Sequence, residues 1–311
     1  MSPQGAQSLK DRTTELVREL FSQESPGAGR RTPPAWLRPA WARLVAMVVV
    51  MAVVLAFGAG ARASAGTNPF LNLVAGALVV AVALSVYAAL VRFLERRPVT
   101  ELDPKDAASG LRTGVVIGLG LFTATIALVD LCADYGTHGG VSVGGALAVL
   151  GLMTGVATTE ELLFRGVVFR LLEEMTGTRW ALAISTVAFG ALHLLNPGAT
   201  VWGALAVGIE GGLMLGAAYA ATRSLWLPIG LHFAWNFAES GLFGTTVSGN
   251  EDAPTGLVQG VVDGPAVLTG GDFGPEASLF AILVCLVPAV LFLRAAKRRG
   301  DLRPRRASSA R

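Results

Sequence analysis

The sequence is poor in charge, in cysteine and in histidine. Only 15% of its 311 residues are Asp, Glu, Lys or Arg, against 52% that are hydrophobic. Length alone would allow two soluble domains, but this balance points to a chain that crosses a membrane several times. The two cysteines, Cys132 and Cys285, lie in apolar runs without metal-type spacing and read as packing residues. There is no H-E-x-x-H, the zinc-binding helix of many soluble proteases, and no G-x-S-x-G to mark a serine nucleophile. No internal repeat is evident, which disfavours an inverted-repeat transporter. Residues 1–40 are long, polar and charged, unlike a cleavable signal.

Long apolar runs take the place of these missing features. Eight can be delimited, at 44–61, 71–91, 111–133, 141–159, 180–195, 200–221, 225–243 and 277–293, most of them near the ~20 residues a bilayer crossing requires. The expected fold is therefore all-α and polytopic, a bundle of about eight transmembrane helices. With the N-terminus inside, 24 of the 25 Lys and Arg residues fall on the inner side and only Arg62 falls outside. This positive-inside bias predicts that both termini are cytoplasmic and that the protein is integral to the plasma membrane. The net charge of +3 is a by-product of the asymmetry and implies no nucleic-acid partner.

The chain divides accordingly. Residues 1–43 form a cytoplasmic tail, in which Leu9, Leu16, Leu20 and Phe21 share one helical face, as in a helix lying on the inner membrane surface. Residues 44–110 carry the first spans, 111–243 a core rich in motifs, and 277–311 the last span with a basic tail. Between them, 244–276 is Gly-rich and acidic with no Lys or Arg, and reads as an extracytoplasmic loop. Small-residue pairs at Gly114/Gly118, Gly151/Gly155 and Gly212/Gly216 would permit close helix approach.

Ionisable groups inside a span are costly and mark a bundle interior or a wet cavity. The candidates are Glu160, Glu161, Arg165, His193, Glu210, His232 and Asn236. Glu161 and Arg165 stand i and i+4, acid before base, an order that favours a salt bridge on a helix. Glu160 is turned ~100° from Glu161 and must find its partner on another helix. His232 and Asn236 also stand i and i+4, and His193 follows Phe189 by the same interval. At ~1.5 Å of rise per residue, Glu160, His193, His232 and Asn236 fall in one broad layer of the bilayer.

A carboxylate can take a proton from water; histidine can donate to an oxyanion, shuttle a proton or bind zinc; asparagine can orient a histidine or donate to the oxyanion. The set suits hydrolysis of a peptide bond by activated water, with or without a metal. Glu210 either joins this cavity or satisfies a helix contact.

The same elements resemble the CPBP family of intramembrane proteases, the CAAX-protease and bacteriocin-processing group also called Abi. E-E-x-x-x-R is similar to Glu160 through Arg165, F-x-x-x-H to Phe189 through His193, and H-x-x-x-N to His232 through Asn236. The resemblance covers roughly 110–240. It implies a CAAX-type endopeptidase, classed with metalloproteases, acting on a peptide or membrane-protein substrate in the lipid bilayer. Glu160 would activate the water, His193 would assist at the scissile carbonyl, and His232 and Asn236 would complete the site or stabilise the oxyanion. Glu161 and Arg165 would support them. If zinc or another divalent metal is bound, His193 and His232 are its expected ligands. Two other expectations compete: a non-catalytic binding or immunity protein of the same fold, and a proton-coupled carrier using Glu160 and Glu210 as relays.

Overall fold

The computed structural model describes residues 35–250 and 256–304, so the expected surface helix around 9–21 lies outside the described residues. Each of the eight apolar runs falls in a helix. In chain order the first six are α1 (Ala40–Ala65), α2 (Pro69–Glu95), α3 (Thr100–Cys132), α4 (Val143–Thr176), α5 (Thr178–Leu195) and α6 (Val201–Thr222), all long and apolar enough to cross a bilayer. The seventh, α7, spans 226–242, eleven α-helical residues continued by six in wider π-type turns, and is somewhat short for a full crossing. The last, α8 (Leu279–Arg299), again has the length and composition of a span. The protein is thus an all-α polytopic membrane protein.

Local chemistry sets the helix ends. Asn68 caps α2, accepting a hydrogen bond from Leu71 N at 3.0 Å with Pro69 in the first turn. Ser142 caps α4 through Gly145 N at 3.0 Å, and Ser278 caps α8 through Ala281 N at 3.1 Å. At the far end of α8, Gly300 takes the left-handed conformation, φ 75°, that a side chain would resist.

The bundle is organised around α4, whose most apolar stretch is 72% buried where that of α1 is only 17% buried. Helix α1 turns Val45, Val49, Val53 and Phe57 outward at four-residue spacing, an apolar stripe suited to lipid. The glycine pairs noted above all lie at helix crossings. A Cβ on Gly118 would stand 2.4 Å from Leu231 O of α7, and one on Gly151 would stand 2.4 Å from Asn72 O of α2. Such approach lets backbones pack directly, where hydrocarbon offers no hydrophobic gain for bringing helices together. Gly212 and Gly216 are seated in the same way against Thr186 and Leu182 of α5.

The apolar run 141–159 is the first part of a helix that continues to Thr176, so the E-E-x-x-x-R motif lies mid-helix. The charges beyond the run are paired within the protein, Arg165 with Glu161 and Arg170 with Glu95, so the helix continues through them. The acidic segment 244–276 is also more than a surface loop. Its strand β2 (Gln259–Asp263) pairs antiparallel with β1 (Asp134–His138), tying it to the α3–α4 connection. Gly249 N donates to Phe273 O at 2.8 Å, Asn196 Nδ2 donates to Ser248 O at 2.7 Å, and Phe273 is buried. Backbone groups satisfied in this way fold the segment down onto the bundle.

Candidate active site

Glu160 and Glu161 are neighbours on α4 with different surroundings. Glu161 is wholly buried, and its Oε1 accepts from Arg165 Nη1 at 2.6 Å. The Arg165 fork also donates to the carbonyls of Gly211 and Gly212 on α6, and its guanidinium carbon lies 4.8 Å from the centroid of the Phe189 ring. The charge of Arg165 is thereby matched by a carboxylate, two carbonyl dipoles and a ring face, each of which lowers the cost of burying it.

The same Glu161 Oε1 lies 2.9 Å from His232 Nδ1. A carboxylate oxygen accepts, so Nδ1 carries the hydrogen and Nε2 is left to face the other way. Glu160 Oε2 stands 3.9 Å from that Nε2, too far for a direct hydrogen bond. His193 repeats the arrangement on α5: its Nδ1 lies 2.8 Å from Phe189 O, an acceptor, and its Nε2 is again the free nitrogen. Phe189 packs against both imidazoles, with ring centroids 4.8 Å from His193 and 6.1 Å from His232. It fits there because position 211 has no side chain; a Cβ on Gly211 would stand 2.4 Å from Phe189 Cε1.

Glu160, His193, His232 and Asn236 all line one cavity of about 350 Å³. Glu161 and Arg165 stay behind its wall, where they hold His232. Wide π-type turns border the site on three helices, at Leu162–Phe169, Gly208–Met214 and Phe237–Leu242. Such turns are common at functional positions because they shift side chains around the helix axis.

A group of carboxyls stands at another part of this cavity, of which the sequence singled out only Glu210. Glu210 lines it, and so does Glu276, from the turn Pro275–Ala277 just before α8. Glu239, three positions beyond Asn236, is fully buried. One oxygen of Glu210, both of Glu239 and one of Glu276 lack hydrogen-bond partners among the described residues. Burial pushes the Glu276 carboxyl above the usual carboxylate range. Glu239 was visible as an acid inside the predicted span 225–243. Glu276 carried no such signal, since it adjoins an acidic, Gly-rich stretch.

The metal expectation can be tested on the donor set. Both histidines are fixed through Nδ1 and present Nε2, the arrangement typical of metal-bound imidazole. Yet among the described residues no three His, Cys, Asp or Glu side chains are gathered to hold an ion, whereas catalytic zinc usually has three protein ligands. The side chains as placed do not make a metal site.

A bundle of apolar helices around a cavity holding carboxylates, imidazoles and an amide defines an integral membrane protein with polar groups inside the membrane-spanning core. Residues 142–238, from the N-cap of α4 to within α7, match the family described as type II CAAX prenyl endopeptidase Rce1-like, so this part of the chain is similar to the CPBP/CAAX proteases. The match contains all three motifs, and Arg62, Glu239 and Glu276 fall outside it. No curated protein and no solved structure matches the chain. The corresponding kind of function is that of a CAAX-type intramembrane peptidase, a hydrolase acting on a peptide substrate within the bilayer.

Proposed function

We propose that the protein is an intramembrane endopeptidase that hydrolyses a peptide bond with a water activated by Glu160. The reading rests on one observation above all: Glu160 is the acid of the α4 pair that lines the cavity, beside the imidazole of His232 from another helix. A carboxylate without its own basic partner is free to accept a proton.

In this mechanism a water between Glu160 Oε2 and His232 Nε2 is held by both. Glu160 takes its proton as the oxygen attacks the scissile carbonyl. Asn236 Nδ2 donates to the oxyanion of the tetrahedral intermediate, and His193, when protonated on Nε2, adds a second donor. Glu160 then returns the proton to the leaving amine, so it acts first as base and then as acid. Glu161 and Arg165 are positioning residues, fixing the His232 tautomer through its Nδ1. No step passes through a metal.

Substrates would be peptides or membrane-protein segments that reach the cavity within the bilayer. The lysine and arginine distribution supports a plasma-membrane protein with both termini in the cytoplasm. The reading is tested with purified protein, a peptide library and ¹⁸O-labelled water. Wild type is expected to generate new carboxyl termini bearing the label. Glu160→Ala and His193→Ala are expected to abolish them, and cleavage that persists in both variants would overturn the mechanism.

A further inference from the structure

Among the described residues that line the cavity there is a single Lys or Arg, and it is also the one that the charge pattern put on the outer side. Arg62 lies in the last turn of α1 and is half-buried. Its neighbours along the wall, Gly58 and Ala59 on α1 with Ala75, Gly76 and Val79 on α2, are small and apolar. The carboxyls that share the cavity, Glu160, Glu210 and Glu276, come from α4, α6 and the turn before α8. The cavity wall is therefore electrically lopsided: helices α1 and α2 contribute a cation and apolar surface, and the elements across from them contribute acids.

We infer that Arg62 is a specificity-determining residue that binds a carboxylate of the peptide substrate, an inference that rests on the peptidase reading above. Peptides with an acidic group beside an apolar stretch are selected, the apolar side chains lying against α1 and α2. The planar guanidinium pairs with carboxylates in a two-point geometry, which gives orientation as well as attraction. The three carboxyls of the cavity offer an incoming carboxylate no cation whereas Arg62 does, so the guanidinium fixes the direction in which the peptide lies. Small residues at Gly58, Ala59 and Ala75 line the wall on the same side as the guanidinium.

The carboxylate can belong to a chain terminus or to an acidic side chain, and binding separates the two. Full-length protein in zwitterionic nanodiscs is titrated with three fluorescent peptides sharing one apolar core. One ends in a free carboxylate, one ends in an amide and carries an Asp, and one ends in an amide and carries an Asn. Wild type is expected to bind at least one acid-bearing peptide about tenfold more tightly than the neutral one, and the tighter of the two names the source. Arg62→Gln is expected to lose that preference while binding the neutral peptide as before, and Arg62→Lys to recover part of it. Equal binding of all three by wild type, or a preference that survives Arg62→Gln, overturns the inference. Selection that survives Arg62→Gln here, while in a parallel set of nanodiscs doped with anionic lipid the wild type retains that lipid and the variant does not, assigns the residue to a lipid headgroup and overturns it too. Because binding is read without cleavage, failure here is distinguishable from failure of the hydrolytic mechanism.

Discussion

His232 Nδ1 lies 2.9 Å from Glu161 Oε1, joining α7 to α4 at the one carboxylate that also holds Arg165. This contact makes the second acid of the motif a support for a histidine on another helix. Glu161→Ala removes it and leaves Arg165 buried against carbonyls alone. The expected cost is about 3–5 kcal/mol of stability, since breaking a buried pair strands the remaining charge. Thermal unfolding in detergent measures it, and a midpoint equal to that of wild type would contradict the assignment.

Arg165→Lys keeps the charge but loses the fork that reaches Glu161 and the carbonyls of Gly211 and Gly212 together. Peptide cleavage is expected to fall by at least tenfold while the protein remains folded. The matching change at Arg170, whose buried partner Glu95 is not among the residues lining the cavity, is expected to cost stability but to leave the cleavage rate of the folded protein within about twofold of wild type.

The crossing of α3 and α7 predicts a steric pair on one helix. Gly118→Val drives a side chain into the α7 backbone at Leu231, the residue before His232, and is expected to destabilise by about 1–3 kcal/mol and to lower activity. Gly120→Val meets nothing within 4 Å and is expected to behave as wild type. Equal unfolding midpoints for the two would argue against the crossing.

Much of this architecture was legible in the sequence, for identifiable reasons. Eight apolar runs became eight helices because hydrocarbon length and backbone hydrogen bonding leave few alternatives. The Glu161–Arg165 pair was readable because helical spacing alone brings i and i+4 together. The Glu161–His232 contact was not, because it joins residues 71 apart in the chain and depends on how α4 and α7 cross. Glu276 was hidden for a related reason: an acidic, Gly-rich segment looks solvated until its strand pairing and the Phe273 contact fold it inward.

The burial of Glu276 has a pH signature. Its folded-state carboxyl is raised above the usual Glu range, so between the unfolded and folded values the native protein holds a proton that the unfolded chain has released. Stability attributable to this group is present below the ordinary Glu range and declines as pH rises toward the folded value. Glu276→Gln is expected to flatten that decline, as read by unfolding midpoints across a pH series. A variant with the same slope as wild type would remove Glu276 as its source.

The donor set also predicts the response to chelators. With two imidazoles and no third gathered ligand among the described residues, cleavage is expected to be unchanged after exhaustive dialysis against EDTA. Loss of activity, restored by zinc, would show that the side chains rearrange around an ion.

On the mechanism proposed above, Glu160 and not its paired neighbour carries the proton transfer. The single-turnover cleavage rate of Glu160→Gln, measured beside the unfolding midpoint of the same preparation, tests this most directly. A fall of about 10²–10⁴-fold with the midpoint unchanged is expected, the loss for a general base removed from a site otherwise intact. A rate within a few-fold of wild type, in protein that is equally stable, would contradict it.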